Sequence, residues 1–431
     1  MGELKPDDIR NLGSMGWEAI ESLMTPEGVL ASSAGSAYGA IFGRDSLIVA
    51  CKLLHAHYYE ERPEVLEWVR TILDGLVRLQ GRETVPESGE EPGKCIHEWR
   101  PTDHEHLTRD SNPPWYLYAD GEMRNYQGSD ETALLLLTQA RYVAIAGHAE
   151  LDRYLPSALR ALAWVMQWGD RDGDGFTDYP YEPNRSWGGS IVQTWMDSTE
   201  SLFQEGVREI ISPIAAVEVQ GYTHAALRAW SHLLDQRNPE LSKRLALYAS
   251  RLKKCFPAAF ALGDGEYAAA LNGDGTPVRA IRSNMAHLLW ADGGSHELTD
   301  LIIDDQAVEL LVRRLMRTDL FDPRGGLRTL SKTSPWFDLT RYSNGAIWPH
   351  DTGMAAEGLE RSGYTPEANK LRVALGRAIR DLGSPYEYYT IDEAGCVAPG
   401  YEVPGDHPAC AVQAWTAATL CSEMAALRMR T

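Results

Sequence analysis

Apolar residues recur with helical period along most of the chain. After Pro63 they fall at Val65, Leu66, Trp68, Val69, Ile72, Leu73, Leu76 and Val77, the stripe of an amphipathic helix. Within residues 129–147 the run 133–137 is apolar almost all round, which predicts a helix buried on most sides. Punctuation agrees with these stripes. Ser129, Ser212-Pro213 and Thr365-Pro366-Glu367 read as N-terminal caps, the last two with proline in the first turn, and Gly147, Gly169 and Gly383 stand where helices should end. Strand signals are few: residues 267–271 before Asn272-Gly273, and 388–397 around Glu393-Ala394-Gly395, predict local hairpins. Nothing supports a parallel sheet.

Helices preceded by a polar, aromatic-bearing turn are predicted to begin near Asp45, Ser129, Pro213, Ser283, Gly345 and Pro408. The intervals of about 60 to 85 residues each hold two helices of ordinary length and their connections. Six helical hairpins predict an all-α (α/α)6 barrel, a six-hairpin toroid of six inner and six outer helices with short β-hairpins in its loops. The polar turns gather at one end. Residues 1–431 are expected to form one catalytic domain with no separate N-terminal domain; an open helical solenoid is the alternative.

Composition narrows the partners. The 431 residues are 44% hydrophobic and 24% charged, ordinary for a globular protein with a large core. Lys and Arg total 41 against 61 Asp and Glu, a formal charge of −20, which argues against nucleic acid and anionic membranes because both need a positive face. No basic segment followed by an apolar stretch opens the chain, and no run approaches the roughly 18 apolar residues of a membrane span, so a soluble, cytoplasmic protein is expected. Six cysteines without a Cys-x-x-Cys pair predict free thiols. No glycine-rich phosphate loop is present, which removes the usual nucleotide-site signal, and no required cofactor is expected. The pattern says nothing of oligomeric state. Thirteen Trp and 19 Tyr against seven Phe favour rings with a polar handle, suited to a partly wet cleft for a small saccharide or glycoside.

Several segments carry candidate chemistry. Residues 341–353 pack Arg341, Tyr342, Asn344, Trp348, His350 and Asp351 into a predicted helix lip, a mixture that covers the apolar faces of a pyranose and hydrogen-bonds its hydroxyls. In Phe42-Gly43-Arg44-Asp45-Ser46, Asp45 is either a helix cap or an acceptor of two sugar hydroxyls. Gly93-Lys94 and His97-Glu98-Trp99-Arg100 place another mixed cluster in a long loop, as surface charge or as function. In Trp195-Met196-Asp197-Ser198 a carboxylate against an indole is expected to be desolvated and protonated, ready to serve a leaving oxygen. Glu387 stands among Tyr386, Tyr388 and Tyr389, whose hydroxyls could hold it ionised as a base. Residues 170–175 open like a calcium loop, with Asp170, Asp172 and Asp174 as candidate ligands of a structural Ca²⁺. Its twelfth position is Tyr181 rather than Glu, and a turn held by Asx hydrogen bonds is the alternative.

From about Tyr38 onward these pieces, in this order, resemble the catalytic domain of glycogen-debranching amylo-α-1,6-glucosidases. More distantly they resemble glucoamylases, processing α-glucosidases and mannosylglycerate or glucosylglycerate hydrolases. The likeness runs through Phe-Gly-Arg-Asp-Ser (42–46), Pro-Gly-Lys followed by His97-Glu98-x-Arg100, Asp-Gly-Asp-Gly-Phe (172–176) and Trp-Met-Asp-Ser (195–198). It continues through Ser283-Asn284 with His287-Leu288-Leu289, Leu-Arg-Thr-Leu-Ser (327–331), Tyr-Ser-Asn-Gly-Ala-Ile-Trp-Pro-His-Asp (342–351) and Gln413-Ala414-Trp415.

The resemblance implies an (α/α)6 barrel and an inverting glycosidase, with Asp197 as general acid, Glu387 as general base, and roughly 6.5 to 9.5 Å between the carboxyl groups to admit a water. Arg44 and Asp45 match residues that grip the terminal sugar. Trp348, His350 and Asp351 match another wall, and Phe42, Glu98, Trp195 and Trp415 match pocket-lining positions. Two departures stand out: debranching enzymes carry a large domain ahead of the barrel where about 40 residues precede Phe42 here, and Tyr-Glu-Tyr-Tyr at the base is closer to enzymes of small glycosides. The expected activity is exo-hydrolysis of a terminal α-linked glucose. The alternatives are a glucosylglycerate or mannosylglycerate hydrolase, with Arg100, Arg341 or Lys94 as the cationic spot, and a catalytically idle carbohydrate-binding barrel.

Overall fold

The computed structural model describes residues 4–202, 210–293, 300–400 and 408–429. Among these residues thirteen α-helices appear: α1 (Pro6–Leu23), α2 (Gly43–Glu60), α3 (Pro63–Arg78), α4 (Glu105–Thr108), α5 (Glu131–Ala146), α6 (Leu151–Gln167), α7 (Val217–Leu234), α8 (Pro239–Phe260), α9 (His287–Trp290), α10 (Asp305–Leu315), α11 (Pro349–Arg361), α12 (Thr365–Leu382) and α13 (Ala414–Arg428). They form two rings. The inner ring runs α2, α5, α7, α9, α11, α13, each helix packed on the next, and α13 also packs on α2 so that the ring closes. That contact excludes the open solenoid. On the outside α3, α6, α8, α12 and α1 back α2, α5, α7, α11 and α13, while α10 backs the 3-10 turn Ser283–Ala286 that leads into α9.

The two rings follow from two kinds of apolar pattern. In α3 only one face is buried, through Val65, Val69, Ile72, Leu73 and Leu76, as its stripe predicts for an outer helix. In α5 nearly every residue through Val143 is buried, and in α13 every residue from Ala414 to Leu427, because inner helices are covered on all sides. An inner helix must then satisfy any charge it carries. Lys52 of α2, fully buried, donates to Glu357 of α11 and Glu423 of α13, each at 2.9 Å, and Glu423 also accepts from Arg372 of α12 at 2.7 Å. These pairs tie three inner helices and one outer helix together in the core.

The inner helices start close to the predicted points, with two corrections. Ser212-Pro213 does not cap a helix: the residues after it form strand Ile214–Ala216, paired with Ala270–Asn272, and α7 starts at Val217. Cross-strand pairing overrides the proline signal there. Ser129 is not a cap either, since its hydroxyl donates to the Gln193 carbonyl at 2.7 Å and ties two loops together. The predicted hairpins are present, Ala270–Asn272 with Pro277–Val278 and Tyr389–Ile391 with Val397–Pro399. Unforeseen is the three-stranded sheet of Ile41–Phe42, Glu98–Arg100 and Met123–Asn125, which moves Glu98 from a loop into a strand opposite Phe42. This sheet delivers the chain into α2. A Cβ on Gly43 would lie 1.9 Å from the Ile96 carbonyl oxygen, so only glycine fits where α2 meets the sheet. No helix among the described residues is long and apolar enough to cross a membrane.

Candidate active site

The N-termini of three inner helices, α2, α11 and α13, meet at one cleft. It is lined by Ala31, Tyr38, Phe42, Arg44, Asp45, His97, Trp195, Asp197, Tyr342, Trp348, Glu387, Tyr388, Gln413 and Trp415 and is open to solvent. Arg44 and Asp45 come from the first turn of α2, Trp348 from the residue before α11, and Gln413 and Trp415 from the start of α13. The long loop before α7 contributes Trp195 and Asp197, and Glu387 enters just ahead of strand Tyr389–Ile391.

Aromatic rings build the floor. Trp348 stacks on Tyr388 with centroids 4.9 Å apart, His350 stacks on Trp415 at 3.8 Å, and Trp195 meets Trp348 and His350 edge-on. Such a surface suits the C–H faces of a sugar ring.

Polar groups around it are held from behind. The Arg44 guanidinium is clamped by Asp130 at 2.6 and 3.1 Å and reaches Glu131 at 3.2 Å, all three side chains buried. Asp45 is no cap; it accepts from the Gln413 amide at 2.9 Å. His97 shares a 2.7 Å hydrogen bond with Glu131. Burial drives the Asp45 carboxyl up to about 8; Arg44 opposes this, while the charges of Glu387 and Asp197 add to it.

The two candidate catalytic carboxyls differ from expectation in their settings. The Asp197 side chain stands exposed, accepting from the Tyr342 hydroxyl at 2.7 Å, whereas the Trp195 ring is turned into the core. The predicted desolvation of Asp197 against Trp195 is therefore not what the free protein shows. Glu387 is the buried one. Burial pushes it up to about 7, the Cys410 amide at 3.0 Å pulls the other way, and the charge of Asp197 raises it further. The expectation that tyrosine hydroxyls hold Glu387 ionised gives way to desolvation as the dominant effect.

Three other predicted contacts stand one layer back from the cleft. Glu98 is buried and accepts from the Arg100 Nε, His350 lies behind Trp195, Trp348 and Trp415, and Asp351 accepts from His287 at 2.9 Å. The cationic candidates are also elsewhere: Arg100 is bound to Glu98 and the Ala37 carbonyl, Arg341 to Glu200 at 2.8 Å, and Lys94 lines a second cleft near Glu91. Ala31, Tyr38, His97, Tyr342, Tyr388 and Gln413 complete the lining; His97, Tyr342, Tyr388 and Gln413 stand in the candidate segments, whereas Ala31 carried no signal and Tyr38 only marked where the likeness begins. In the aspartate loop one carboxylate oxygen from each of Asp170, Asp172 and Asp174 lies within 4.8 Å of the others. Each of them also accepts backbone amides of the same loop, as Asx turns do.

Residues 206–399 match the family model of the mannosylglycerate hydrolase MGH1-like glycoside hydrolase domain. The match marks a glycoside hydrolase domain. It contains Tyr342, Trp348, Glu387 and Tyr388 of the cleft. The fold is that of solved glycosidases. A GH63 mannosylglycerate hydrolase from Thermus thermophilus in complex with Tris superposes with a TM-score of 0.65 at 15% identity, over 95% of this chain and 99% of that one. The same hydrolase in complex with Tris and D-glycerate gives 0.62 at 15% identity with the same coverage. A glycosidase variant in complex with glucose gives 0.60 at 15% identity, over 100% of this chain and 99% of that one. No curated protein matches the sequence significantly.

Proposed function

We propose that this glycoside hydrolase is an inverting, exo-acting α-glucosidase that removes one terminal glucose from a small neutral glycoside. The observation that carries this reading is the presence of Asp197 and Glu387 in one cleft whose floor is aromatic and whose walls are Arg44, Asp45 and Gln413. Stacked rings in the lining support binding of a terminal sugar ring by its C–H faces. Asp197 gives its proton to the glycosidic oxygen as the bond to the anomeric carbon breaks. Glu387 takes a proton from the water that attacks the opposite face, and the configuration inverts.

Charge supports a neutral aglycone. The described lining holds three carboxyls, Asp45, Asp197 and Glu387, against one guanidinium already clamped by Asp130. A second reading, hydrolysis of a sugar–glycerate, is favoured by the family model and by the D-glycerate complex of the Thermus enzyme. An idle barrel is disfavoured by the two carboxyls sharing the cleft.

The test is hydrolysis of isomaltose, panose, maltose, a branched limit dextrin, glucosylglycerate and mannosylglycerate, with the anomer released followed by proton NMR. β-Glucose appearing first from a neutral α-glucoside is the expected result. Turnover of the glycerates alone would transfer the protein to the second reading, and α-glucose appearing first would overturn the inverting assignment.

A further inference from the structure

Behind the aromatic floor runs a buried hydrogen-bonded chain, none of whose members lines the cleft. The Tyr222 hydroxyl bonds to Nδ1 of His287, and Nε2 of His287 to Oδ1 of Asp351 at 2.9 Å. A carboxylate only accepts, so Nε2 carries the proton and donates to Asp351, which leaves Nδ1 to accept from the tyrosine. The three residues belong to α7, α9 and α11, consecutive members of the inner ring, and all are fully buried. The imidazole plane is thereby fixed at both edges.

On that plane lies Trp195, with centroids 5.6 Å apart and the rings 21° from parallel. Trp195 precedes Asp197 by two residues, in a stretch, 180–198, that holds neither helix nor strand. Such a stretch has no ladder of its own to hold a carboxyl in place. Its anchors include the bonds from Ser129 to the Gln193 carbonyl, the edge contacts of Trp195 with Trp348 and His350, the Tyr342 hydroxyl on Asp197, and the stack of Trp195 on His287, the one of these that lays a ring face against the indole.

We propose that His287 and Asp351 are positioning residues for the proton donor: they fix the Trp195 ring, and Trp195 fixes the segment that holds Asp197 over the cleft. This rests on the glycosidase reading with Asp197 as the acid. The mechanism predicts a selective defect, because only leaving groups that need a proton depend on where Asp197 sits.

The experiment compares two substrates in wild type, H287A, D351A, the H287A/D351A double variant, H287Q and Y222F. One is the natural glycoside found in the panel above; the other is the matching α-glycosyl fluoride, whose fluoride departs without general acid. H287A and D351A are expected to lose about 10- to 100-fold in kcat on the glycoside, a scale set by ångström-sized misplacement. KM and fluoride hydrolysis should stay within about threefold. The double variant should be no worse than the poorer single variant, since both act through one ring. H287Q, which keeps a donor toward Asp351, should recover most of the rate. Melting temperatures report folding, and should H287A fail to fold, Y222F and H287Q carry the same substrate comparison. Equal losses on both substrates, or no loss on either, would overturn the inference. Wild-type protein that hydrolyses neither substrate would instead remove the glycosidase reading itself, and the inference with it.

Discussion

Removing Asp197 has a calculable effect on Glu387. In the free enzyme Glu387 sits at about 7, pushed there by burial and further by the charge of Asp197. Two carboxyls about 8 Å apart, the separation inversion requires, repel by about 2 kcal/mol at an effective dielectric constant of 20. Asp197 is exposed, and water and salt reduce that roughly fourfold, to about 0.5 kcal/mol or about 0.4 of a pH unit. The variant D197N should therefore move the acidic limb of kcat/KM downward from about pH 7 by that amount. The sign follows because ionised Glu387 is disfavoured by a neighbouring negative charge and relieved by its loss. The limb must be read with an α-glycosyl fluoride, since D197N should lose about 10²- to 10⁴-fold on unactivated glycosides. A limb that moves upward, or a fluoride rate that falls as far as the glycoside rate, would refute the assignment of acid and base together.

Replacing Glu387 by Gln should abolish hydrolysis yet stabilise the fold above neutral pH. Its carboxyl is raised from the ordinary 4.5 to about 7, so the cost of burying it is absent below pH 4.5 and complete above pH 7; a Tm gain for E387Q at pH 8 that vanishes at pH 4.5 is the check. K52M should cost about 3 to 5 kcal/mol by leaving Glu357 and Glu423 buried without their ammonium, read as a fall in denaturation midpoint. Burial alone would raise Glu423, but Lys52 and Arg372 hold it at about 2, so this stabilisation is present above pH 4.5 and lost as pH falls toward 2. The acid-induced loss of stability should accordingly be shallower in K52M than in wild type.

The double ring was legible because burial writes itself into composition. Inner helices such as α5 and α13 read as apolar on all sides, outer ones such as α3 as a single stripe, and the polar turns ahead of the inner helices fall at regular intervals. The strands Ile41–Phe42 and Glu98–Arg100 are too short to show any period, and Ser212-Pro213 carried a helix signal that strand pairing overrode. The residues of the cleft were found through their motifs, but adjacency along the chain misplaced some of them. His350 and Asp351 follow Trp348 within three positions, and a helix turns 100° per residue, so the neighbours of a lining residue face the core. Electrostatics was least accessible. Whether Asp197 or Glu387 is the desolvated carboxyl depends on what covers each, and residues hundreds of positions away decide it.

The contact of α13 with both α11 and α2 has a consequence for biosynthesis. A chain emerging from the ribosome can assemble five inner helices before α13 exists, and until then the ring stays open at the seam between α2 and α11, leaving uncovered the faces that α13 packs against. Lys52 and Glu357 face each other across that seam, without Glu423. Gln413 and Trp415 are likewise missing from the sugar cleft. Fold and catalytic competence therefore both wait on α13, and chains truncated before Gln413 should be insoluble as well as inactive.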